Sequence, residues 1–132
     1  MSRNILITGV SGYLGGTLLN SLPTANLPPH GEIYALVRTA EQAEAVKDYG
    51  VKPLLFNAYD SAAVEENVVR HSISIVFWLV DALGVDAQTY FIQALAKVKR
   101  ETGLEVHFLL VCFFRHSAGR CYFWEHRIVY KE

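Results

Sequence analysis

Gly9-Val-Ser-Gly12-Tyr-Leu-Gly15 sets three glycines at intervals of three, directly after the apolar run Ile5–Ile7 and before a stretch with apolar residues at helical spacing. In that context each glycine has a separate physical job. Gly9 permits a tight turn out of a strand. Gly12 lets the backbone approach a diphosphate with no side chain in the way. Gly15 lets the following helix pack close to the sheet. Free amides at the start of that helix then face the phosphates, and the helix dipole favours their charge. Ser11 adds a hydroxyl donor, while Tyr13 and Leu14 supply amides and their side chains cover the ligand. The same glycines would also serve a sharp turn that binds nothing. Their place after the first strand of an alternating pattern points instead to a dinucleotide.

A second constellation, Leu36-Val37-Arg38-Thr39, ends the next apolar run. In such folds an acidic residue at this point accepts from a ribose 2′-hydroxyl, whereas an arginine pairs with a 2′-phosphate. No Asp or Glu stands there; Glu41 comes three residues later. The guanidinium of Arg38 is planar, permanently charged and suited to phosphate, so NADP(H) is expected in preference to NAD(H). Asn57 and Asp60 follow the third apolar run, where polar groups often meet the adenine; a turn in which Asp60 or Ser61 caps a helix is the competing reading. Leu79, Val80 and Asp81 close the fourth run, on the expected nicotinamide side.

The elements that must position these residues are legible from apolar spacing. Asn4–Ile7 and Ile33–Val37 read as buried strands, followed by Leu54–Phe56, Ser74–Val80 and Val106–Val111. Between them lie helical stretches: Gly12 to Leu22, ended by Pro23; a helix capped by Thr39, running to about Tyr49 and closed by Gly50; one capped by Ser61 and running to about Arg70; and Val85 to Thr102, closed by Gly103. Pro23 to Gly31 is a surface loop. Strands that are apolar throughout are those of a parallel sheet with helices on both faces. Right-handed crossovers give a doubly wound α/β (Rossmann) sheet of about five strands in the order 3-2-1-4-5, with the ligand crevice at the carboxyl ends of strands 1 and 4.

Composition agrees. The 132 residues suit one domain; 12 Lys+Arg against 13 Asp+Glu, a net charge of −1, exclude a nucleic-acid-coating surface. With 52% hydrophobic and 19% charged residues the chain can build a core and is not a disordered tail. Two cysteines make no disulfide framework, and no apolar run has the length of a membrane span or a secretory signal. The expected setting is cytoplasmic, with neither nucleic acid nor membrane as a partner.

Ile7-Thr8-Gly9-Val-Ser-Gly12-Tyr-Leu-Gly15-Gly16 resembles the TGxxGxxG signature of the extended and atypical short-chain dehydrogenase/reductases, a superfamily that includes sugar-nucleotide epimerase/dehydratase-like proteins and NmrA-like NADP-binding regulators. Ala35–Arg38 resembles the second-strand ending of its NADP-binding members, and the resemblance covers about residues 3 to 111. It implies binding of a nicotinamide dinucleotide and hydride transfer at its C4. Catalytic members use a Tyr-x-x-x-Lys pair with a serine, the lysine lowering the tyrosine pKa. No tyrosine here has lysine four residues on; Tyr122 has His126, and Ser117 stands without partners. No catalytic residue is therefore carried over. Three expectations follow: the cofactor half of a reductase or epimerase-like protein, a non-catalytic NADP(H)-sensing module acting through a protein partner, or a fragment with no independent function.

Residues 112–132 form an atypical aromatic and basic tail after a domain spanning 1–111. Phe123 to Tyr130 suggests a short strand. Cys112, His116, Cys121 and His126 have metal-capable side chains, but their Cys-x3-His and Cys-x4-His spacings are not those of ordinary zinc sites. The change of character after Val111 is expected of a C-terminally truncated member. Such a sheet would expose the edge of its fifth strand, to be covered either by the aromatic tail or by another copy of the chain, the second predicting self-association of a homo-oligomer through that edge.

Overall fold

The computed structural model describes residues 3–10, 13–22, 30–79, 85–115 and 121–128, with the backbone alone for 13–15, 85, 110–115 and 121–128. Five strands and four helices alternate along the chain. They are β1 (Asn4–Ile7), α1 (Tyr13–Ser21), β2 (Ile33–Val37), α2 (Ala40–Lys47), β3 (Lys52–Leu55), α3 (Ser61–Arg70), β4 (Ile73–Trp78), α4 (Val85–Thr102) and β5 (His107–Arg115). A further strand, β6 (Cys121–Ile128), follows. The sheet runs β3-β2-β1-β4-β5-β6. Its first five strands are parallel in the expected 3-2-1-4-5 order, and β6 pairs antiparallel with β5 from Arg115↔Cys121 to Phe108↔Ile128.

Side-chain alternation along the strands feeds two cores. Leu6, Tyr34, Leu36, Val76, Trp78 and Phe108 point to one face and meet Val64 and Val68 of α3 and Phe91, Ala94, Leu95 and Val98 of α4. Ile5, Ile7, Ala35, Val37 and Phe77 point to the other, against Leu18 and Leu19 of α1 and Ala43 and Val46 of α2. The first core centres on Trp78 and Phe91, whose ring centroids lie 5.4 Å apart, flanked by Phe108 at 6.1 Å from Trp78 and Phe56 at 6.2 Å from Phe91. Trp78 and Phe91 are sealed from solvent. Each such side chain contributes about 1.5–3 kcal/mol of burial free energy, so this cluster anchors β4 and α4 together.

Four elements depart in detail from the sequence reading. β3 begins at Lys52, because the parallel register with β2 starts at Tyr34↔Lys52; Pro53 is tolerated there since β3 is the sheet's edge. The cap of α3 is Asp60 rather than Ser61: its carboxylate accepts from the amides of Ala62 and Ala63, at 3.1 and 3.3 Å. A carboxylate at the positive end of a helix gains more than a neutral hydroxyl would. β5 continues beyond Val111 to Arg115, where β6 supplies its partner row of hydrogen bonds. The short strand expected at Phe123 to Tyr130 is β6, shifted to begin at Cys121. Gly103 closes α4 as expected, with φ +73° and its amide donating to the carbonyl of Lys99 at 2.8 Å.

Both ends of β1 are fastened by side chains. At its start, the Asn4 amide donates to the His71 carbonyl at 2.6 Å and accepts from the Glu32 N–H at 3.0 Å, joining β1 to the segments that precede β4 and β2. At its end, Thr8 is fully buried. Its N–H and its hydroxyl both donate to the carbonyl of Phe77, at 3.0 and 3.1 Å, and its oxygen accepts from the Leu79 N–H at 3.4 Å.

Candidate functional site

The carboxyl ends of β1, β2, β3 and β4 frame a cleft of about 680 Å³. Gly9 and Val10 form its wall beyond β1, Leu36 to Arg38 with Gln42 at the end of β2, Leu55 to Tyr59 at the end of β3, and Trp78 with Leu79 at the end of β4. It lies beside the point where chain connections leave β1 in opposite directions, the place where open parallel sheets bind ligands. Its volume is within the range of small-molecule sites, roughly 300–1,000 Å³.

Gly9 has φ +74°. The chain turns out of β1 through a left-handed conformation that an L side chain adopts only at a cost of about 1–2 kcal/mol. Thr8, one residue earlier, fixes where that turn begins by its two bonds to Phe77 of β4 and one from Leu79 just beyond it. Ser11, Gly12 and Val80 lie outside the described residues. Tyr13, Leu14 and Gly15 fall in the first turn of α1, described as backbone.

Arg38 stands immediately beyond β2, exposed on the cleft wall. Among the described residues no carboxylate lies within ion-pair distance of it; the ion pairs found join Arg3 to Glu105, Lys47 to Glu44, Lys52 to Glu32 and Lys97 to Glu65. Its backbone is held: the Arg38 N–H donates to Oε1 of Gln42 at 3.0 Å, while the Gln42 N–H donates to Oγ1 of Thr39, the helix cap, at 3.2 Å. This is a near relative of the capping box, with the glutamine reaching one residue further back than usual.

Asn57 also lines the cleft, and its Oδ1 accepts from the Tyr59 N–H at 3.0 Å. The carbonyl of Asn57 accepts from the Asp60 N–H at 3.1 Å. Asn57 thus shapes the turn that presents Tyr59, 55% exposed, beside Leu55, 58% exposed. Two large apolar side chains left open on a cleft rim provide a flat surface for a planar ring.

The structure therefore brings Gly9, Arg38 and Asn57 to one cleft. Sequence reasoning missed Gln42, Tyr59 and Leu55. A signal for Gln42 existed in Thr39-Ala-Glu-Gln42, whose first and last residues have capping-box chemistry. None existed for Leu55, which reads as one more apolar strand residue. Among the described residues no three His, Cys, Asp or Glu side chains are grouped to hold a metal ion, and no helix is long and apolar enough to cross a membrane.

A parallel 3-2-1-4-5 sheet with a glycine turn after its first strand, between two helix layers, is a Rossmann-type α/β fold. No family model matches the chain, and no curated protein matches its sequence. Solved structures do. An NADPH-dependent quinone oxidoreductase from Escherichia coli, complexed with NADPH, is 26% identical over 72% of this chain and 34% of its own, with a TM-score of 0.56. Isoflavone reductase is 24% identical over 74% of this chain and 33% of its own, with a TM-score of 0.56. The triphenylmethane reductase of Citrobacter sp., complexed with NADP(H), is 21% identical over 72% and 34%, with the same TM-score of 0.56. The chain resembles members of the extended and atypical short-chain dehydrogenase/reductases, as its glycine motif implies. It spans about a third of the length of these proteins.

Proposed function

We propose that the chain binds a nicotinamide dinucleotide in this cleft, NADP(H) in preference to NAD(H). The observation that carries the reading is the convergence of a left-handed glycine turn, an arginine without an ion-pair partner among the described residues and an open apolar rim on one cleft at the carboxyl ends of the strands. These features fit the group. Gly9 keeps the turn free of a side chain, Arg38 suits a 2′-phosphate, and the turn built on Asn57 suits the adenine. Ser11, Gly12, Tyr13, Leu14 and Gly15 would hold the diphosphate, and Val80 would stand on the nicotinamide side. The bound nicotinamide supplies hydride chemistry at its C4; this chain's own residues bind and orient it.

NADPH in the complexes of the quinone oxidoreductase and NADP(H) in that of the triphenylmethane reductase support the choice of cofactor. The chain is read as the cofactor-binding part of a reductase or epimerase-like protein, cytoplasmic, with residues 1–111 carrying the nucleotide and 112–132 the atypical ending. The absence of a Tyr-x-x-x-Lys pair in the sequence favours one second reading, a non-catalytic NADP(H)-sensing module acting through a protein partner. Titration of the purified chain with NADPH and NADH, followed by calorimetry, tests the common part: tighter binding of NADPH is expected. Binding of neither nucleotide, or tighter binding of NADH, refutes it. Cofactor-dependent capture of a partner with no carbonyl turnover would select the sensor. The edge of β5, where the sequence alone predicts self-association, is paired with β6 from Phe108 to Arg115, so a homo-oligomer through that edge is not proposed.

A further inference from the structure

Gln42 is partly buried on the cleft wall, one helical turn after Arg38. Its side-chain amide is oriented by chemistry: a backbone N–H can only donate, so the atom 3.0 Å from the Arg38 nitrogen must be the amide oxygen. With Oε1 committed, Nε2 carries two N–H donors. Neither has a hydrogen-bond partner among the described residues. Among the described residues the Gln42 side chain therefore makes one hydrogen bond, fixing the main chain of Arg38, and keeps its donating pole available beside the guanidinium. Capping alone does not require that arrangement, because a glutamate in this position accepts the same N–H equally well.

We infer that Gln42 is a specificity-determining residue of the cleft. It positions Arg38 through its oxygen and donates through Nε2 to the 2′-phosphate of a bound dinucleotide. The inference rests on the NADP(H) reading above and names the residue that sharpens it. A neutral donor suits this position. Glu41, next to it, is an exposed carboxylate in the first turn of α2, and Glu44 is neutralised by Lys47 at 2.8 Å. A second unpaired carboxylate at position 42 would repel a dianionic phosphate and compete with it for Arg38.

The test is Gln42→Glu, with affinities for NADPH and NADH measured side by side and thermal stability recorded. The oxygen that caps Arg38 is retained, so the melting temperature is expected to hold. The donor is replaced by an acceptor, so the ratio of NADPH to NADH affinity is expected to fall about tenfold or more. Gln42→Ala, which removes both bonds, is the second variant; its ratio should fall less steeply, because it adds no repulsion. If wild type prefers NADPH and Gln42→Glu keeps that preference unchanged, this inference is overturned while the cofactor reading stands. If wild type binds neither nucleotide or prefers NADH, the cofactor reading fails and this inference fails with it.

Discussion

Replacing Arg38 with alanine isolates the charge on which the proposed cofactor preference rests. The Arg38 side chain is exposed, and among the described residues its removal breaks no ion pair; the backbone bond to Gln42 survives in alanine. Folding stability should therefore change by less than about 0.5 kcal/mol. Binding should change more. A hydrogen bond from a charged donor contributes about 1.5–3 kcal/mol, and every 1.4 kcal/mol is about tenfold in affinity. The cleft wall at Arg38 is open to solvent, so salt screening holds the effect near the lower limit, about tenfold weaker NADPH binding at physiological ionic strength. At low salt the loss should grow. NADH has no 2′-phosphate, and its affinity should shift far less. Calorimetric titration of wild type and Arg38→Ala with both nucleotides, at two salt concentrations, supplies every quantity needed. Equal losses for NADPH and NADH, or no loss for NADPH, would refute the assignment of Arg38.

Other perturbations probe the scaffold. Gly9→Ala places a Cβ on a backbone at φ +74°, and should cost about 1–2 kcal/mol in chemical denaturation as well as weakening either nucleotide. Ser74 is fully buried in β4 and its hydroxyl has no hydrogen-bond partner among the described residues, so Ser74→Ala should stabilise the fold by about 1 kcal/mol; a lower melting temperature would count against this. Burial, with the nearby charges of Arg70 and Lys52, holds the His71 pKa below its ordinary value. The folded state therefore disfavours the imidazolium. Its stabilising contribution is complete above about pH 6.5 and is lost as the pH falls from there through the lower folded value. His71→Gln should flatten melting temperature against pH over that interval.

The strand–helix alternation was readable because buried parallel strands are apolar throughout and the helices between them carry their own stop signals. Thr39 and Gly103 fall at the helix ends that their chemistry foretells. Choices between adjacent residues were harder. Asp60 and Ser61 both cap helices, and which one does so depends on the preceding turn, which Asn57 sets through its own hydrogen bonds. The start of β3 was set by its neighbour: Lys52 and Pro53 have little strand character, and pairing with Tyr34 and Ala35 recruits them. Of the candidate site, the residues with distinctive chemistry were legible, Gly9 and Arg38 above all. Gln42 and Tyr59 were not, because their part depends on which polar atom is already engaged and which ring is left in the open.

The hydroxyl of Thr8 carries a consequence for how the cleft works. β1 and β4 are paired strands from whose carboxyl ends the chain connections diverge, and a ligand seated there bears on both. Thr8 ties the last residue before the glycine turn to both Phe77 and Leu79, so the mouth has a fixed gauge. A ligand meets a rigid sill there, with little ordering left to do, and any adjustment to its shape falls to the outer loops beyond β2 and β3.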